Sequence, residues 1–60
     1  MTTAQINHYS EEIVSQMGND ERESFGDGST WRDRIRAFGI RSDEDLDRLL
    51  SRIASDISKS

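Results

Sequence analysis

The strongest constraint on how this chain folds is a helical repeat of apolar residues in its last third. Those residues recur at intervals of three and four positions: Leu46, Leu49, Leu50, Ile53, Ala54 and Ile57. This spacing places the apolar side chains along one face of an α-helix. Ser42 precedes the repeat as an N-cap, acidic residues fill the first turn where the helix dipole favours them, and Asp45 completes a capping box. The sequence therefore predicts a helix over about residues 43–58.

A second amphipathic helix is predicted near the N-terminus. Its apolar residues are again three or four positions apart: Ile6, Tyr9, Ile13 and Met17. Thr2 or Thr3 can cap its start, and Gly18-Asn19 can end it in a left-handed turn. We expect this helix over about residues 4–17.

A shorter helix is predicted over about residues 31–38, between the other two. Trp31, Ile35 and Phe38 recur at helical spacing, and Ile35 and Phe38 are expected to face the core. For Trp31 two interpretations stay open: an aromatic residue that caps the core, or a half-exposed anchor of an interface. Thr30 is the expected N-cap. Gly39 is expected to end the helix, so that Ile40 packs back on its last turn.

Residues 18–28 are rich in glycine and polar except for Phe25, which predicts a long connecting loop. One helical turn is expected around Glu21–Ser24, with Phe25 folding back into the core. No segment alternates between apolar and polar residues, so no strand is predicted. The predicted fold is an all-α, three-helix domain spanning residues 1–60 as a single unit.

The length of the chain limits how stable this domain can be. Leu, Ile, Val and Phe contribute only 12 of the 60 residues, which allows a thin core. A domain of this size buries only about 60% of its unfolded surface and is marginal alone. A homodimer that pairs the last helix across a twofold axis is therefore a further option.

The sequence also argues against several classes of chemistry. It has no cysteine and one histidine, which excludes thiolate sites and multi-histidine metal sites within one chain. Asp43, Asp45 and Asp47 imitate the start of a calcium loop, but Arg48 and Ala54 stand where glycine and an acid are required. His8 has no nucleophile beside it and is expected on the solvated helix surface. We expect no enzyme activity, no metal and no cofactor.

Neither a membrane span nor a secretory signal is predicted. No apolar run approaches about 18 residues, and Met1-Thr2-Thr3 has neither a basic nor an apolar stretch. We expect a cytoplasmic protein, located in the host cytoplasm if the source is viral.

Charge is distributed unevenly along the chain. Residues 1–31 carry one arginine and six acidic residues, whereas residues 32–60 have a net charge of +1. An acidic first half favours a basic surface on a partner. The residues expected to dock there are Glu11, Glu12, Asp20, Glu21 and Glu23.

The arginines around the second predicted helix permit two interpretations. They are Arg32, Arg34, Arg36 and Arg41, with Trp31 beside them. Arginine beside an aromatic residue is typical of nucleic-acid contacts and of protein hot spots. The simpler alternative is that they are solvated and paired with Asp33, Asp43 or Asp47. In a helix-turn-helix arrangement the acidic start of the last helix would face phosphate, which disfavours direct nucleic-acid binding.

The leading hypothesis is a small acidic, non-enzymatic module that binds another protein or a protein–nucleic acid complex and inhibits or modulates it. Trp31, Arg32, Arg34 and Arg36 would anchor this contact. In size and charge alone, the chain resembles the accessory inhibitors of phages and mobile elements, including anti-CRISPR-type proteins. The alternative is a dimeric DNA-binding transcriptional regulator that uses the arginines between Arg32 and Arg41. A structural subunit of a larger assembly is a third class.

Overall fold

The computed structural model describes residues 1–59, and four α-helices account for all the regular structure in that range. They are α1 (Thr3–Gln16), α2 (Asn19–Glu23), α3 (Ser29–Ala37) and α4 (Asp43–Lys59). The predicted all-α class is confirmed. The structure has four helices where three were predicted, because the single turn expected around Glu21–Ser24 is a five-residue helix, Asn19–Glu23.

Helix α4 forms the centre of the fold. Leu46, Leu49 and Ile53 are completely buried on its apolar face, and α1 and α3 both pack against it. The side chains of the core are Ile6, Met17, Phe25, Ile35, Leu46, Leu49, Leu50 and Ile53. Since α1 and α3 cover the apolar face of α4 within one chain, a dimer would have to use another surface.

The start of α1 is held by polar contacts, some local and some to α4. Thr2 is the N-cap, with its Oγ1 accepting from the Gln5 backbone N–H at 3.1 Å and Gln5 Oε1 accepting from the Thr2 N–H at 2.9 Å. The Met1 α-amino group donates to both carboxylate oxygens of Asp45, at 3.2 and 3.1 Å. Asp45 also donates its backbone N–H to Ser42 Oγ at 3.4 Å, as the predicted cap requires.

A buried serine joins the middle of α1 to the far end of α4. Ser10 is fully buried, and its hydroxyl donates to Asp56 Oδ2 at 2.6 Å. Asp56 Oδ1 also lies 3.3 Å from Arg52 Nε. The hydroxyl therefore satisfies one oxygen of a carboxylate that is largely removed from water.

We expect Ser10→Ala to destabilise the domain by about 1–2 kcal/mol, because it leaves a half-buried carboxylate oxygen without its donor. Urea denaturation measures the change. Ser15→Ala is the matched control, since the exposed Ser15 hydroxyl only donates to the Glu12 carbonyl on the same helix. Equal unfolding midpoints for the two variants would contradict the assigned role of Ser10.

The segment between α1 and α3 departs from its prediction in detail. Gly18 has an ordinary φ of −76°, so α1 does not end in a left-handed turn. Helix α2 is tied to α1 by Arg22, whose Nη2 donates to the Val14 carbonyl at 2.9 Å. Phe25 is buried in the core, as the sequence predicted.

Two glycines set where α3 begins and ends. Gly28, not Thr30, is its N-cap, with φ +80°, and Asp27 Oδ1 accepts from the Ser29 backbone N–H at 3.0 Å. Gly39 has φ +111° and follows the C-cap Phe38. The predicted end of the helix at this glycine is confirmed.

The Asp27 carboxylate makes the start of α3 sensitive to pH. Hydrogen bonds from Ser29 lower the pKa of Asp27 below its usual value of 3.8. Its stabilising contribution is therefore complete above the pKa of Asp27 in the unfolded chain, and it is lost as the pH falls through the lower pKa of Asp27 in the folded state.

Above about pH 4, we expect the unaltered chain to have a higher Tm than its Asp27→Asn variant. This difference should shrink as the solution becomes more acidic, because protonation removes the charge that asparagine lacks. Thermal unfolding of both proteins across acidic pH measures the difference. A Tm difference that stays constant with pH would show that the charge of Asp27 contributes nothing.

Candidate functional site

A groove of about 470 Å³ separates α1 from α3, and we call it the apolar groove. It exists because both helices pack on α4 and barely touch each other. Its α1 wall is made by Glu12, Ile13 and Gln16, and its α3 wall by Trp31, Arg34, Ala37 and Phe38.

Phe38 is the most exposed large apolar side chain at this groove, with 81% of its surface accessible. The prediction that it faces the core is wrong. At about 100° per residue, Trp31 and Phe38 both lie about 40–60° to the same side of Ile35. Ile35 points into the core and is 1% exposed, whereas Ile40 packs against the core from beyond Gly39. Phe38 is thus left on the flank of α3 that faces the groove.

Trp31 is half-buried and packs against the core from the same wall. The guanidinium carbon of Arg34 lies 4.9 Å from the centre of its ring, within the range of a cation–π contact. Arg34 Nη1 also lies 3.6 Å from Glu21 Oε2. These contacts hold the arginine at the groove, while the side chain stays 56% exposed.

The α1 wall carries the opposite charge. Glu12 is exposed, and its Oε1 lies 3.1 Å from Nε2 of His8. His8 is on the helix surface, where the sequence placed it. The apolar groove therefore has a carboxylate on one wall and a guanidinium on the other, with aromatic and aliphatic surface between them.

The other predicted anchors turn away from the groove toward the start of α4. Arg36 Nη2 donates to Asp43 Oδ1 at 2.8 Å, and Arg32 pairs with Asp47 and lies 3.9 Å from Asp43. Asp43 and Asp47 are two of the three partners that the simpler interpretation of the arginines named; the third, Asp33, pairs with none of them within residues 1–59. Arg41 is exposed and has no ion pair within residues 1–59.

The predicted acidic residues do not form one surface at the groove. Glu12 lines it, and Glu21 reaches it through Arg34. Glu11, Asp20 and Glu23 are exposed elsewhere, and Glu23 borders a separate shallow hollow of about 330 Å³.

Four residues of the groove were not predicted as site residues: Ile13, Gln16, Ala37 and Phe38. Ile13 and Phe38 were predicted to face the core, and Ile13 does pack against the core while it also lines the groove. The spacing of Trp31, Arg34 and Phe38 at i, i+3 and i+7 was the available signal, because it places all three on one flank of α3.

The groove offers a ligand apolar contact together with one carboxylate, one amide and one guanidinium. Within the part of the chain that the structure describes, no group of three histidine, cysteine or acidic side chains is placed to hold a metal ion. No helix in residues 1–59 combines the length and the hydrophobicity needed to cross a membrane.

No protein-family model matches this chain, and no curated protein or solved structure is significantly similar to it.

Proposed function

We propose that this chain is a non-enzymatic protein interaction module whose contact surface is the apolar groove. The observation that carries the proposal is Phe38, which is 81% exposed beside the half-buried Trp31. Aromatic residues and arginine are enriched at the centres of protein interfaces, where they supply most of the binding energy. Trp31, Arg34 and Phe38 bring these residue types together on one wall.

The energetics support a role for Phe38 in binding. Fully burying a phenylalanine side chain contributes about 1.5–3 kcal/mol, and the single folded chain leaves most of that contribution unused. A partner that covers Phe38 gains this contribution without any rearrangement of the core, because the side chain is already exposed. Trp31 and Arg34 are already held by the core and by each other, so little of their side-chain freedom is lost on binding.

The proposal changes which residues anchor the contact. Trp31 and Arg34 remain, and Phe38 joins them, whereas Arg32 and Arg36 are engaged with acids of α4. Inhibition or modulation of a macromolecular partner in the cytoplasm, as by the small inhibitors of phages, remains part of this proposal. The acidic residues would then favour a basic partner through long-range charge, with Glu12 making the direct contact.

The DNA-binding alternative has less support. Phosphate would have to displace Asp43 and Asp47 from Arg32 and Arg36, next to an α4 start that carries three acids in its first turn. The four predicted arginines do not form one unpaired basic face among the described residues, because Arg32 and Arg36 pair with acids of α4 and Arg34 pairs with Glu21.

Differential capture from a lysate of the source or host cell tests the proposal. The tagged chain, its Phe38→Ser variant and its Tyr9→Ser variant are compared at physiological salt after nuclease treatment. Tyr9 is the matched control, because it is an aromatic residue that is 43% exposed and lies outside the groove lining.

A protein retained by the unaltered chain and by Tyr9→Ser, but lost with Phe38→Ser, is the expected result. Capture that does not depend on Phe38 would overturn the groove as the contact surface. Recovery of nucleic acid alone, lost on nuclease treatment, would favour the DNA-binding alternative.

A further inference from the structure

We propose that the occupant of the apolar groove is a second copy of this chain, bound about a twofold axis that runs along the groove. This inference rests on the proposed function, because it takes the groove to be a protein-binding surface. In a twofold interface the same patch is used by both copies, so the patch must be complementary to itself. The groove meets this requirement in shape and in charge.

The shape of the groove combines a projection with a hollow. Phe38 stands exposed on the α3 wall, and the depression beside it is lined by Ile13, Trp31 and Ala37. Twofold packing lets Phe38 of each copy enter the hollow of the other. Two aromatic rings, one from each copy, would then be covered in a single interface.

The charges on the two walls are arranged for the same pairing. Glu12 lies on the α1 wall and Arg34 on the α3 wall. When the twofold axis runs along the groove, the α1 wall of one copy faces the α3 wall of the other, so the pair between Glu12 and Arg34 forms twice. Their present partners, His8 and Glu21, hold them in exposed pairs at 3.1 and 3.6 Å, which contribute little and are readily exchanged.

The size of the chain gives dimerisation an energetic reason. A small stable interface takes about 600 Å² from each partner, and the chain has an accessible surface of 4109 Å². Burying this fraction of the surface adds to a core of only eight buried hydrophobic residues among those described. The net charge of −4 on each copy opposes association, but salt screens it beyond about 8 Å at physiological ionic strength. The paired charges within the interface are affected much less.

Sedimentation equilibrium of the purified chain at physiological salt tests the inference, over concentrations from about 1 μM to about 1 mM. We expect a reversible dimer. The only tryptophan of the chain lies in the groove, so the emission of Trp31 should shift to longer wavelength as dilution separates the copies.

Exchange of the two charges tests the geometry. Glu12→Arg alone places two arginines together at each contact, and Arg34→Glu alone places two glutamates together. We expect each variant to dimerise at least about tenfold more weakly than the unaltered chain. An equimolar mixture of the two variants restores opposite charges at both contacts and should form a heterodimer. The double variant should dimerise with itself. Glu11→Arg, exposed and outside the groove lining, is the control and should dimerise normally.

The outcomes separate this inference from the proposed function. A chain that is monomeric over the whole concentration range overturns the second copy as occupant, while Phe38-dependent capture of another protein would still support the proposed function. A dimer that is insensitive to both charge reversals uses another surface and also overturns the inference. A monomer without Phe38-dependent capture would overturn both.

Discussion

Phe38→Ser is expected to weaken self-association by at least about 30-fold, because aromatic residues at interface centres typically contribute about 2 kcal/mol or more. The twofold interface contains Phe38 twice, so the substitution removes this contribution from both copies. Sedimentation equilibrium provides the dissociation constant. The stability of the single chain should change by no more than about 0.5 kcal/mol, since the side chain is 81% exposed before association.

This combination of effects distinguishes a binding residue from a core residue. Tyr9→Ser removes another exposed aromatic side chain from the surface and should leave the dissociation constant unchanged. Unfolding of the Phe38→Ser variant would instead show that this side chain contributes to the core of the single chain. If it folded and dimerised normally, Phe38 would have no part in the interface.

Gly28→Ala is expected to have the largest effect on folding. Gly28 has φ +80°, which costs an alanine about 1–2 kcal/mol. The new Cβ would also lie 2.9 Å from Leu50 Cδ2 and 3.0 Å from Phe25 Cζ, and overpacking of a core adds about 1–3 kcal/mol. A core in a domain of this size rarely supplies more than about 3–5 kcal/mol in total. We expect a fall in Tm of at least about 10 °C, measured by circular dichroism.

Two other glycines separate strain from crowding. Gly39 has φ +111° and open space around the position of a Cβ, so Gly39→Ala reports backbone strain alone. Gly18 has an ordinary φ and equally open surroundings, so Gly18→Ala should not destabilise the chain. The loss in Tm should therefore increase from Gly18 through Gly39 to Gly28. Equal losses at Gly28 and Gly39 would show that the contacts with Leu50 and Phe25 relax without cost.

The helices could be predicted where a long apolar repeat fixes both the type of element and the face that is buried. The apolar face of α4 is long and continuous, so its prediction over residues 43–58 is confirmed to within one residue at each end. Helix α2 was harder, because it has five residues and no side-chain N-cap. Arg22 ties it to α1 through a hydrogen bond to the Val14 carbonyl, eight positions away, and local propensity does not encode such a contact.

The candidate site was predictable only in part. Trp31 and Arg34 were identified because their residue types are typical of interfaces. Phe38 was assigned to the core, since its helical spacing from Ile35 is nearly equivalent to that of Trp31. The choice is made by Ile40, which packs against the core after the turn at Gly39. The groove arises where two helices pack on a third, so no single segment contains it.

The placement of α4 at the centre also fixes the order in which the domain can fold during synthesis. Helix α1 is joined to α4 by contacts that span 44 to 47 residues, including those between Met1 and Asp45 and between Ser10 and Asp56. A nascent chain that ends at Phe38 lacks four of the eight buried hydrophobic side chains of the described core. At about 5–20 residues per second, α1 therefore remains without its packing partner for a few seconds. We expect α1 and α3 to pack stably only once α4 has left the ribosome.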